Sequence, residues 1–242
     1  MKKIERILKG RNCIAFLDFE GTQFSHEMIA IGAVLVTLDR KNEIKSYKEP
    51  FKILVKAKNK VGSYVTDLTS ITDDMLKKDG VPFNSALLEL KKYLGMKWKK
   101  CLFVTYGNHD LKILNQSIAY NFQFPKDFCQ QIQHNYFDFT TLLNDYVRDA
   151  KGNALSLIHA CEIFKVELLE PAHDPVSDAV NLARLYDAFI KEKDILKEEY
   201  KKAITFTSSH LPDPIKNVIN KLNNNEDVTP SDFDTFIKES LK

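Results

Sequence analysis

The chain is 242 residues long, with 35 Lys and Arg against 33 Asp and Glu and a formal net charge of +2. That length fits one domain of ordinary size with an appendage, and 44% hydrophobic with 28% charged residues supplies a proper core. Near-neutrality excludes a strongly basic nucleic-acid coat and an acidic disordered tail, while eight Gly and eight Pro leave little for long flexible linkers.

The opening MKKIERILKG is charged and too polar for the apolar region of a signal peptide. No apolar run reaches the roughly 18 residues of a membrane span. Cys13, Cys101, Cys129 and Cys161 are widely spaced, without a C-x-x-C pair. A cytoplasmic protein with reduced, packing cysteines is expected, and no membrane partner. Residues 13–18 (CIAFLD) form a nearly continuous apolar run, as a strand buried on both faces requires. The run from Met28 to Asp39 is its neighbour across the polar connection EGTQFSHE, so the two read as an antiparallel pair. A third strand is predicted through Tyr47–Val55. Residues 41–60 hold seven Lys and two Glu, a solvated face by default and a nucleic-acid-facing one otherwise.

Helix and strand then alternate. Helices are predicted at Thr72–Lys78 and Phe83–Leu94, a strand at Cys101–Tyr106, and a helix from about His109 to Asn121. A short strand at Tyr136–Phe139 leads into helices at Thr140–Tyr146, Leu155–Phe164 and Val176–Lys191. The order predicts an α/β fold, a mixed sheet flanked by helices. After about residue 195 the character changes, with an LPDP turn, a polar NNNED run and a final amphipathic helix capped by Thr229 with Pro230 at its first position. The chain therefore reads as a main domain over residues 1–195 and a helical C-terminal extension over 196–242.

Three segments carry chemistry. In DFEGT, Asp18 and Glu20 share one face of an extended strand, and two adjacent carboxylates at a buried strand end repel unless a cation relieves them. In YGNHDLKIL, Asp110 falls in the first turn of a helix, where the dipole alone explains an acid. In HDPVSDAVNLARLY, Asp174 and Pro175 open a helix that carries Asp178, and His173 lies just outside on a loop. Secondary candidates each have a plainer explanation. His109 adjoins Asp110 but sits on a helix surface; His26 and His134 lack ligand spacing; Asp138 caps the next helix. Lys97, Lys99 and Lys100 around Trp98 suit phosphate contact and base stacking, or simply a loop with a half-buried Trp. No G-x-S-x-G segment and no phosphate-binding glycine loop is present.

Taken in order, D-x-E, then D, then H-x-x-x-x-D resembles the DEDDh family of 3′-to-5′ exonucleases over roughly residues 10–192. IGAVLV, LTSITDDML and YFDFTTLL are secondary matches. The resemblance implies an RNase H-like fold, with Asp18, Glu20, Asp110 and Asp178 as metal ligands and His173 as general base. It also implies that the Gly21–Thr22 backbone and nearby apolar side chains hold the 3′-terminal nucleotide. Two divalent ions, Mg²⁺ or Mn²⁺, suit an all-oxygen site. The expected partners are 3′ ends of single-stranded RNA or DNA, with RNA slightly favoured. Tyr106 replaces the Asn usual in proofreading relatives, and Ala30 stands where many members have an acid; with LTSIT, these features resemble the Eri-type exonucleases that trim RNA ends. The alternatives are a DNA proofreading or repair exonuclease and a non-catalytic module that binds nucleic-acid ends.

Overall fold

The apolar run at residues 13–17 sits at the centre of a sheet because neither of its faces can be left to water. The computed structural model describes residues 2–121, 126–207 and 210–241. Six strands, β1 (Cys13–Gly21), β2 (Met28–Leu38), β3 (Ile44–Tyr47), β4 (Phe51–Leu54), β5 (Leu102–Thr105) and β6 (Tyr136–Asp138), form one sheet. The order is β3-β2-β1-β5-β6, and β4 also pairs with β2. The pairings of β1 with β2 and of β2 with β3 and β4 are antiparallel, whereas β1–β5 and β5–β6 are parallel. The sheet is therefore mixed, as expected.

The predicted single strand over Tyr47–Val55 is instead two short ones. Lys48 still donates to the Leu35 carbonyl, but Pro50 has no N–H to give to the ladder, and pairing resumes only at Phe51. Helices α1 (Lys2–Leu8), α2 (Ser63–Thr69), α3 (Asp73–Asp79), α4 (Phe83–Leu94), α5 (His109–Tyr120), α6 (Lys126–His134), α7 (Thr140–Leu143), α8 (Leu157–Ile163), α9 (Pro175–Lys191), α10 (Lys193–Thr207), α11 (Asp213–Asn223) and α12 (Pro230–Ser240) complete the described chain. α1, α2 and α6 are short elements that the apolar pattern did not predict. α7 ends three residues earlier than expected, where Tyr146 and Val147 turn back onto Leu143. α8 starts at Leu157 because the Ser156 hydroxyl accepts the His159 N–H at 3.3 Å.

Alternation along β1 separates its two sides. Cys13, Ala15, Leu17 and Phe19 join a core with Phe83, Leu87 and Leu90 of α4 and Ile113 and Leu114 of α5. On the other side Phe16 meets Tyr186 of α9 at 5.6 Å. All four cysteines are buried and free, in keeping with a packing role. The chain divides into two compact units, residues 1–140 with 156–191, and residues 141–155 with 192–242. Within the second, Tyr146 packs on Tyr200 with ring centroids 5.0 Å apart. There α12 begins as predicted, with Thr229 and Asp232 forming a reciprocal capping box.

Candidate active site

Asp18 and Glu20 continue the even-numbered row of β1, so they share its α9 side and stand half-buried at the strand's carboxyl end. Asp18 pairs with Gly32 of β2, and Gly32 pairs on its other side with Lys52 of β4. A Cβ at Gly32 would lie 1.9 Å from the Pro175 carbonyl oxygen. Only a residue without a side chain lets the first turn of α9 rest on the sheet here. Lys52 forms an ion pair with Asp174, and the Asp174 carboxylate accepts the N–H groups of Val176 at 3.0 Å and Ser177 at 3.1 Å. That cap fixes the start of α9, and Asp178 follows one turn later, half-buried. The His173 N–H donates to the Asp178 carboxylate at 3.2 Å. His173 itself is exposed, with φ of 59° on the loop before the helix.

Asp110 enters from the other strand neighbour. It lies in the first turn of α5, just past β5, and is only 6% exposed. Its Oδ1 accepts the Phe19 N–H at 2.7 Å, between the two carboxylate-bearing residues of β1. A Cβ on Gly21 would come within 2.9 Å of the Ile113 side chain of α5, which packs close to the strand end here.

The four carboxylates act on one another. Burial raises the Asp18 carboxyl well above the usual range, and the charges of Asp110, Glu20 and Asp178 push it further. Glu20 is pushed up to about 8, by burial and then by Asp178 and Asp110. Asp110 is pushed up to about 7 by burial, against the opposing pull of the Phe19 N–H. Asp178 is raised by burial, and His173 draws it back. A site that must hold this much negative charge favours protons or cations. Among the described residues no group of three or more His, Cys, Asp or Glu is drawn together around one metal position. The fit is thus one of chemistry: four hard, like-charged oxygen donors suit Mg²⁺ or Mn²⁺.

Thr22 is buried and engaged in its own turn. Its N–H donates to the Glu27 carbonyl at 2.8 Å, and its hydroxyl oxygen accepts the Glu27 N–H at 3.0 Å. Gly21 is buried beside Ile113. Two residues past Thr22, Phe24 is 84% exposed. The sequence reading missed this aromatic, although a lone Phe in the polar stretch EGTQFSHE was a signal. It also missed a basic group: the His26 and His109 rings meet edge-on at 5.2 Å, and Lys112 reaches His26 Nε2 at 2.9 Å. No spacing rule links residues so far apart in sequence.

Asp138 and His109 lie where the plainer readings put them, a cap and an exposed helix position, whereas Trp98 is buried deeper than the half-buried loop residue expected. Asp138 accepts the Thr140 N–H at 2.9 Å as a cap, and also the Gly107 N–H at 2.9 Å, which shapes the loop before α5. Trp98 is 5% exposed and packs edge-on against Phe103, so it is a core residue and not a stacking platform beside Lys97, Lys99 and Lys100. Tyr106 is half-buried at the end of β5, and burial raises its hydroxyl. His134 is exposed at the end of α6.

Residues 15–186 match the RNase T family model, described as exonuclease. The chain belongs to this exonuclease family, and Asp18, Glu20, Asp110, His173 and Asp178 all fall within the matched span. No curated protein matches it by sequence. Among solved structures, it is similar to the nuclease domain of 3′hExo, a DEDDh family member bound to rAMP. The TM-score is 0.62 at 19% identity, over 76% of this chain and 94% of that one. Cell-death related nuclease 4 (CRN-4) gives 0.60 at 20% identity, over 75% and 64%. E. coli exonuclease I, bound to a dA16 oligonucleotide, gives 0.57 at 14% identity, over 86% and 45%. These likenesses show the fold, an RNase H-like mixed sheet flanked by helices. The chain spans 62% of a full-length 3′-exonuclease that it also resembles.

Proposed function

We propose that this protein is a metal-dependent 3′-to-5′ exonuclease that removes nucleotides from single-stranded or overhanging ends, RNA in preference to DNA. The observation that carries the reading is the placement of Asp18, Glu20, Asp110 and Asp178 at the ends of β1, α5 and α9, near enough that the charges of the last three all raise the proton affinity of Asp18. The family supplies the reaction class. The 3′ polarity draws on the similar folds of a 3′-exonuclease and 3′hExo, and single-stranded nucleic acid on exonuclease I with its dA16 oligonucleotide.

In this reading Asp18, Glu20, Asp110 and Asp178 would hold two divalent ions, which when bound would supply an acidified water and charge compensation at the leaving 3′-oxygen. His173 is placed to accept a proton as the general base. Its exposed loop leaves the ring accessible, and its backbone bond to Asp178 ties the loop to the carboxylate it serves. Asp110 keeps its orientation through the Phe19 N–H. Phe24 offers a face for a terminal base.

The test is stepwise shortening of a 5′-labelled oligonucleotide with Mg²⁺ or Mn²⁺. Asp18→Ala and Asp178→Asn are expected to abolish it, and His173→Ala to slow it by about 10²–10⁴-fold. Nicking of a closed circle as the main activity sinks the proposal. The exonuclease I likeness keeps DNA open as a substrate, and initial rates on matched RNA and DNA strands decide between them.

A further inference from the structure

A second charged feature lies outside the chemistry of the site. A surface pocket of about 330 Å³ is lined by Lys56, Lys58, Lys60 and Lys77, with Asp73 its one acid. Asp73 is already engaged, since its Oδ1 accepts the Val61 N–H at 3.0 Å. Lys58 donates one of its three N–H bonds to the Tyr120 carbonyl and keeps two. Lys77 pairs with Asp74 on the exposed surface of α3, at 3.1 Å, and a surface pair of this kind exchanges readily for another anion.

The pocket is fastened to the strand connection that leaves the active site. The buried carboxylate of Glu27 accepts the N–H groups of Lys58 at 2.8 Å and Asn59 at 3.0 Å, and the Asn59 amide at 3.1 Å. Gln23 donates to the Val61 carbonyl at 2.9 Å, and its side-chain oxygen accepts the Tyr64 N–H at 3.3 Å. Gly62, at φ 92°, permits this lacing, since a Cβ there would lie 2.5 Å from Gln23 Oε1. Phe24 and Tyr64, 84% and 65% exposed, therefore stand on two joined segments, one of which leaves the carboxylate-bearing strand and the other of which follows the lysines. Exposed aromatics followed by clustered lysines match a chain with flat bases and repeating phosphates.

We propose that the Lys56–Lys58–Lys60–Lys77 pocket is a phosphate-binding subsite for the single strand upstream of the scissile bond, so that strands long enough to reach it are preferred. The inference rests on the exonuclease reading above and adds a length preference to it.

The test compares full-length wild type, Lys60→Glu/Lys77→Glu and Lys60→Arg/Lys77→Arg on a dinucleotide and on a strand of about twelve nucleotides. For the long strand, the Glu variant should raise KM by ~10-fold or more at unchanged kcat, and the dinucleotide should be unaffected. The dependence of log KM on log salt should fall by roughly 0.7 for each lost phosphate contact. The Arg variant should behave as wild type. Equal effects on both substrates, or no effect on either, overturn the subsite while leaving the exonuclease intact. Competition by polyglutamate as strong as by an oligonucleotide of equal charge also overturns it, by showing a general anion surface. A wild-type protein that digests neither substrate instead fails the exonuclease reading, and the subsite with it.

Discussion

At the scale of single residues the site is governed by carboxylates kept closer together than their charges favour. Glu20 at about 8 and Asp110 at about 7 hold protons that the unfolded chain releases above about 4.5. The folded state therefore binds more protons across that window, and its stability falls as pH rises from about 4.5 to 8 in chelator. Asp18→Asn removes a repelling charge. It should raise the thermal midpoint at pH 8 by about 2–4 °C, the shift that about 1 kcal/mol makes in a chain of this size, and leave it nearly unchanged at pH 5. A destabilised Asp18→Asn at pH 8 would contradict the mutual repulsion. Phe24→Ala removes an exposed ring that makes no core contact. Thermal stability should hold while KM for oligonucleotides rises by ~10-fold or more, as loss of a base stack predicts. The carboxylates were legible in the sequence because their types and order are distinctive. The His26–His109–Lys112 group was not, since only the fold brings a loop after β1 against the start of α5.

At the scale of elements, the docking of α9 on β2 decides whether Asp178 reaches Asp18 and Glu20. Gly32 permits the approach and the Lys52–Asp174 pair fixes its end. Gly32→Ala should force α9 outward, lower stability by about 3 kcal/mol or more, and remove activity even where the protein still folds. Urea unfolding and the exonuclease assay check both effects, and a stable, active Gly32→Ala variant would refute the packing argument. The apolar periods of β1, β2, α4, α5 and α9 were readable because burial imposes them. The break between β3 and β4 turns on one missing N–H at Pro50, and α2 and α6 are too short for their period to stand out. The role of Gly32 was invisible for another reason: its meaning lies in a helix far along the chain.

At the scale of the whole molecule, near-neutrality takes on a meaning that composition alone did not supply. Four carboxylates are gathered at the ends of β1, α5 and α9, while four lysines line one pocket. Divalent ions that neutralise the first group should stabilise the folded chain. At about 100 times their dissociation constant they should add about 2.7 kcal/mol, or roughly 5–10 °C in thermal midpoint at pH 8. Protons compete for the same oxygens, so the shift should be smaller at pH 5, and Asp178→Asn should shrink it at either pH. An equal shift in wild type and variant would place the ions elsewhere. The seat of α9 on Gly32 also sets an order in time. During synthesis β1 and its two carboxylates leave the ribosome well before Asp178, which lies far along the chain from them. The site cannot close before that late, long-range step, so the growing chain carries no assembled nuclease.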